Sequence, residues 1–240
     1  MNDDLVGGGN ALILLLIGAA IAGATLFALI AWQKGKPAIA RSFLGAAALI
    51  GVAYAGGVIA ASAASTETTL APGETKWFCG FYLDCHLGLS LERVETVAEL
   101  PAPGGPVKAE GAFHVLTVDL HNSAKNPNVD MLLYRPKAYI IDAGGRRYSR
   151  SSSAEAVVAK SGRPAPLGPE TTVHHEPLRA TLVFDLPPGV QSPRLMVEQG
   201  WLVERAIELG LINDENSIFH KRTYIALSPA DSRIATTGNH

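Results

Sequence analysis

Two thiols and an imidazole lie close together at Cys79, Cys85 and His86, in the run WFCGFYLDCHLGLSLERV that begins at Trp77. Such a trio can be a disulfide, a redox centre or part of a metal site, because thiolate and imidazole both ligate zinc and copper. The other internal histidines are His114, His121, His174, His175 and His220. His174 and His175 are followed by Glu176, but adjacent residues on a strand point to opposite faces, so a metal site there needs further ligands from other elements. His114 shares its strand phase with Leu116 and Val118, which reads as a histidine in or beside a core. Asp214, Ser217 and His220 place acid, hydroxyl and imidazole close in sequence; a turn rich in Asp, Asn and Ser explains the same residues through local backbone hydrogen bonding. No Gly-x-Ser-x-Gly elbow, His-Glu-x-x-His pair or Gly-rich phosphate loop followed by Lys occurs. No catalytic residue and no cofactor are therefore nominated. Cys79, Cys85, His86, His174 and His175 stand as metal-ligand candidates, the alternative to a disulfide joining Cys79 and Cys85.

The elements that must position these residues begin with two apolar runs. Residues 11–32 and 42–65 contain no charged side chain, and roughly 20 apolar residues in a helix cross a hydrocarbon core of about 30 Å. Both are expected to be transmembrane helices. The connector 33–41 carries Lys34, Lys36 and Arg41, whereas the leader carries Asp3 and Asp4. Cationic loops stay in the cytoplasm, so the tail 1–10 and everything after residue 65 are expected outside. A cleaved signal peptide is the competing reading of the second run, with its basic region at 34–41, but its apolar core exceeds the roughly 7–15 residues of such signals. Small residues four apart, Gly18 with Ala22, Gly51 with Ala55 and Gly57 with Ala61, would let the two helices pack as a hairpin. Neither run holds an ionisable residue, which argues against an ion pathway.

Residues 66–228 have the length of one ordinary domain. Three of the 20 Lys and Arg and two of the 22 Asp and Glu precede residue 66, so the remainder carries a net charge of -3. That balance offers nothing to nucleic acid. Apolar residues now alternate with period two, as at Phe81, Leu83, Cys85, Leu87, Leu89 and Leu91, which predicts a strand with one buried face. Further strands are expected in 113–121, 137–142, 146–149, 180–186, 195–198 and 222–227, with a hairpin turn at Ala143-Gly144-Gly145 and Pro/Gly clusters between the others. Residues 202–212 read weakly as a strand, and 229–240 as a flexible tail. Arg146, Arg147 and Arg150 read as a solvated basic edge that blocks strand addition. Cys79 and Cys85 on one continuous strand would stand about 20 Å apart, beyond the roughly 7 Å that a disulfide tolerates, so the bond requires a turn between them. An oxidising compartment favours it.

The order of these signals, a VDLHN turn after an apolar strand, AYIIDAGGRRY, the Pro-flanked ATLVFDLPPGV and a late DENSIFHK, resembles the telokin-like immunoglobulin-type domains of bacterial membrane proteins and lipoproteins over residues 80–228. The resemblance implies an antiparallel immunoglobulin-like sandwich of about seven strands, with a binding or structural role. A helical hairpin followed by an external β domain is also similar to the layout of subunit II of haem-copper oxidases. That family sets its two copper-ligating cysteines three residues apart, late in the domain and near a methionine; here five residues separate them, they come early, and no methionine is near. The expectation is a non-catalytic binding or assembly module, anchored in the cell (inner) membrane, whose partners are the bilayer and another membrane or envelope protein. A copper-type metal-binding protein or an accessory subunit of a membrane complex is the alternative.

Overall fold

The computed structural model describes residues 3–78, 86–199, 207–212 and 214–228. The expected Cys79–Cys85 bond and the tail 229–240 lie outside the described residues. Within them the chain forms two compact units, one of residues 3–66, 207–212 and 214–221, the other of residues 67–78, 86–199 and 222–228.

The first unit is built on helix α1 (Asp3–Gln33) and helix α2 (Pro37–Ala64). Helix α1 begins within the stretch expected to be a tail. Gly35, at φ 69°, supplies the left-handed turn between the helices, and Pro37 opens α2 at a position where its missing N–H costs nothing. Ala28, Ala31 and Ala40 bring the helices together near this turn, and Phe27 stacks on Phe43 with ring centroids 5.6 Å apart. Of the small residues, Gly51 faces α1, where an added Cβ would meet Ile21 at 3.8 Å; Gly18 and Gly57 face open space. The helices bury little else. Only 6% and 11% of their most apolar windows are buried, and Leu15, Leu16, Leu49 and Val52 stand exposed.

The second unit follows as β1 (Thr68–Leu70), β2 (Thr75–Phe78), β3 (Leu87–Leu100), β4 (Val107–Asn122), β5 (Met131–Tyr134), β6 (Lys137–Ile141), β7 (Arg147–Ser149), α3 (Ser152–Val158), β8 (Glu170–Val173), β9 (Leu178–Leu186), β10 (Arg194–Glu198) and β11 (Thr223–Ala226). One sheet runs β1-β11-β10-β6-β7, a second runs β2-β3-β4-β9, and β5 pairs with β8. The alternation forecast on β4 is seen directly: Leu116, Val118 and Leu120 face the other sheet. They pack there with Leu89 and Leu91 of β3, Leu182 and Phe184 of β9, Ile140 of β6, Leu195 of β10 and Ile225 of β11 in one buried cluster. Two sheets sharing one core make a β-sandwich.

Eleven strands among the described residues replace the expected seven, and β1 pairs with β11 in parallel. The unforeseen strands β1, β2, β5 and β8 have three or four residues each; so short a run carries too little alternation to register. The hairpin at Gly145 is present, joining β6 to β7. The described part of the 202–212 segment is a correction: Gly210 N–H donates to Ile207 O and Leu211 N–H to Glu208 O, which closes a helical turn and leaves no strand at 207–212. Helix α3 was also unforeseen. Ser151 caps it, and Ala154 and Val158 press onto Phe113, Val115 and Val183 on the outer face of the second sheet.

Candidate functional site

The outer face of the β2-β3-β4-β9 sheet carries a row of charges, and a β-bulge puts it there. Leu91 pairs with Val118 and Arg93 with Thr117, so Glu92 is the extra residue. Without it Arg93 and Glu95 would keep the inward phase of Leu87, Leu89 and Leu91. An inserted residue flips every later side chain to the opposite face. Val94 now packs toward the core, while Glu92, Arg93 and Glu95 line a cleft of about 670 Å³ with Thr117, Arg163 and Arg179.

Carboxylates pair with all three arginines. Arg163 makes a bidentate pair with Glu95 at 3.1 and 2.9 Å, and Arg93 Nε stands 3.2 Å from the same carboxylate. Arg179 makes a bidentate pair with Asp119, both bonds at 2.7 Å. The hydrogen bonds from Arg163 and Arg179 hold the carboxyls of Glu95 and Asp119 below the usual range. Arg93 remains the most exposed of the three, with 70% of its side chain accessible. The result is a surface with fixed charges of both signs.

At one end of this row, Ser90 Oγ lies 2.8 Å from His121 Nε2 and 2.7 Å from Glu92 Oε1. Serine, histidine and acid thus meet, but in an order that does not activate a nucleophile. In a catalytic triad the acid orients the histidine, which takes the serine proton; here the acid accepts from the serine itself. The single hydroxyl proton serves Glu92, and His121 Nε2–H donates to Ser90 Oγ. Ser90 is also only 1% exposed, leaving no approach for a substrate.

No family model matches the chain, and no curated protein matches it. Among solved structures, the chain is similar to the yjhA protein from Bacillus subtilis at 14% identity, covering 67% of this chain and 100% of that one with a TM-score of 0.40. A conserved hypothetical protein from Bacillus anthracis aligns at 14% identity over 53% of this chain and 93% of its own, TM-score 0.36. A β-sandwich protein from Clostridium difficile 630 aligns at 10% identity over 68% and 96%, TM-score 0.36.

Among the described residues, those nominated from sequence do not assemble. Cys79 and Cys85 lie outside the described residues. His86 accepts Ser123 N–H through its carbonyl at 2.9 Å and faces Ser123 Oγ through Nδ1 at 3.3 Å. His174 Nδ1 meets Asp130 Oδ1 at 2.7 Å on an exposed edge, and His175 is exposed. No group of three or more His, Cys, Asp or Glu that could hold a metal ion occurs among the described residues. His114 is half-buried, as its phase implied, beside Leu186, Pro187 and Val190, and burial lowers its pKa. Asp214 accepts from Asn216 N–H at 2.7 Å and from Ser217 N–H at 3.0 Å, while His220 Nδ1 turns to Lys221 O, so these residues form the turn and no triad. The basic edge differs from expectation at Arg150. It pairs with the buried Glu155 and donates to Leu167 O, pinning α3 to the sheet. Arg147 stacks on Tyr139 and Arg146 on Tyr148.

The cleft was missed from sequence because its signal is a phase slip. In LGLSLERVETVAEL the apolar positions move from odd (Leu87, Leu89, Leu91) to even (Val94) across Glu92. That slip is the bulge.

Proposed function

We propose that the protein is a membrane-anchored, extracytoplasmic β-sandwich that binds or assembles with another envelope protein and performs no catalysis. The observation that carries the reading is the helical hairpin: two long helices whose apolar side chains are left exposed on most of their surface. A core helix of a water-soluble domain would bury that face, whereas acyl chains cover it without cost. The cationic connector with Lys34, Lys36 and Arg41 orients the hairpin with both ends outside, and the sandwich occupies the periplasmic side of the inner membrane. The telokin-like immunoglobulin character belongs to the same reading, as does a Cys79–Cys85 disulfide formed in that oxidising space.

The Arg93, Arg163 and Arg179 cleft is the surface we assign to the partner. Its guanidiniums are pre-oriented by Glu95 and Asp119, so little side-chain entropy is lost on binding. The test is purification of the full chain from its own membranes in mild detergent after chemical crosslinking. A partner that co-purifies with wild type and is lost with Arg93→Glu supports the reading. Unchanged recovery with Arg93→Glu removes the cleft from it, and a reporter at the C-terminus that proves cytoplasmic removes the topology.

A further inference from the structure

Between β10, which ends at Glu198, and β11, residues 207–212 and 214–221 belong to the helical unit. Two hydrogen bonds tie this excursion to α2. Tyr54 Oη donates to Gly210 O at 2.7 Å, and Lys221 N–H donates to Ser65 Oγ at 2.8 Å. The two anchor points are about 16 Å apart along the axis of α2, so the segment descends alongside the helix and does not merely cross its end. A Cβ at Gly210 would meet Leu14 of α1 at 3.9 Å, an ordinary contact distance, so the segment lies near both helices.

We infer that residues 207–212 and 214–221 form a third membrane contact, a hook seated in the outer leaflet whose ligand is lipid acyl chain. This rests on the proposed anchor and its orientation. Measured from Arg41, a hydrocarbon core of about 30 Å ends about 20 residues further along α2, near Ala61, which sets Tyr54 about 10 Å inside that boundary. The Gly210 carbonyl, bonded to the Tyr54 hydroxyl, lies within one tyrosine side-chain length of that depth. The side chains match that environment. Leu209, Ile218 and Phe219 are 50%, 42% and 69% exposed, and Ile218 N–H donates to Leu209 O, which sets the two aliphatic side chains' strands of backbone side by side. Phe219 has φ 65°, a conformation that a bulky residue rarely adopts. The backbone strain is spent on presenting an aromatic ring outward, which water would not reward and an interfacial lipid layer does. Two polar groups beside these side chains are withdrawn: Glu208 is 2% exposed, and the Gly210 carbonyl, which would otherwise face hydrocarbon, receives the Tyr54 hydroxyl; Asp214, Glu215, Asn216 and His220 are half-buried, and Lys221 is exposed where it bonds Ser65 beyond the end of the core.

The test places p-benzoylphenylalanine singly at Phe219, at Phe27 on α1 and at Leu132 on β5 of the full chain, reconstituted into phosphatidylcholine and phosphatidylglycerol vesicles. Irradiation and mass spectrometry then read lipid adducts. The expected result is lipid adduct at 219 and 27 and background at 132. Adduct at 27 with none at 219 overturns the hook and leaves the anchor intact; absence at both overturns the anchor and the hook with it. Adduct at 219 to a second copy of the chain, in place of lipid, also overturns the hook. An aromatic L-residue replaces an aromatic L-residue at 219, so the fold is kept, which an unchanged far-ultraviolet circular dichroism spectrum verifies.

Discussion

Asp119 and Arg179 show how a surface pair becomes worth measuring. Asp119 is 8% exposed and both its oxygens are engaged, yet 57% of the Arg179 side chain is accessible, so solvent screens much of the attraction. Asp119→Asn should cost about 1 kcal/mol at pH 7, read by urea denaturation. The sign of its pH dependence follows from the direction of the shift: the folded-state pKa is depressed, so the pair stabilises above the unfolded carboxylate range and this is lost as pH falls through the folded value. The gap between wild type and Asp119→Asn should therefore close in acid. His114 acts in the same sense at higher pH. Burial depresses its pKa, so its neutral form favours the folded state above about pH 6.5 and the benefit drains away below. His114→Gln should flatten that part of the stability profile; an unchanged slope would show that the histidine is hydrated. Tyr139 is pushed up to about 12, first by burial and then by Glu198, which accepts its hydroxyl at 3.1 Å. Spectrophotometric alkaline titration should lose its last tyrosine step in Tyr139→Phe.

At the scale of elements, β3, β4 and β9 supply the cleft's floor and residues 162–164, after helix α3, its wall. Gly111 is closed to any side chain: an added Cβ would stand 2.1 Å from Leu186 O and 2.7 Å from Pro187 Cα, both backbone atoms of the facing strand and its exit. Gly111→Ala should cost about 1–3 kcal/mol by forcing the strands apart, measured as a lowered denaturation midpoint. Glu155 ties α3 to the sheet by accepting from Arg150 Nε at 2.7 Å and from Val183 N–H at 3.2 Å. Glu155→Ala leaves the Arg150 guanidinium with Leu167 O but no carboxylate and removes the acceptor of the Val183 amide, a loss of about 3 kcal/mol, whereas Glu155→Gln keeps one acceptor and should lose less. Equal losses in the two variants would locate the effect in packing of α3 alone. Much of this scale was legible beforehand: the phase of β4, the place of β9 and the Gly145 hairpin stand where alternation and turn chemistry put them. The three- and four-residue strands and the seven-residue α3 were not, since each is specified by what it packs against and not by its own period.

Over the whole molecule the proposed topology makes one demand that can be checked independently of any partner. Replacing Lys34, Lys36 and Arg41 by Gln should randomise or invert a C-terminal reporter, because cationic charge beside the spans sets their orientation. Mass spectrometry of the unreduced chain should show Cys79 and Cys85 joined, and two free thiols would contradict an oxidised periplasmic location for them. What the sequence by itself determined is whatever depends on composition and period: two runs long and apolar enough for lipid, a basic connector, a β-rich remainder and the inward phase of its longest strands. Only the tertiary structure decided which face the charges after Leu91 occupy, that Ser90, Glu92 and His121 meet in a non-catalytic order, and that residues 207–212 and 214–221 belong to the helical unit. The reason is physical. Period reports how a segment divides its own faces, whereas a one-residue bulge, a hydrogen bond between Ser90 and His121, or one between Tyr54 and Gly210 across 156 residues of chain depends on which segments come together in space.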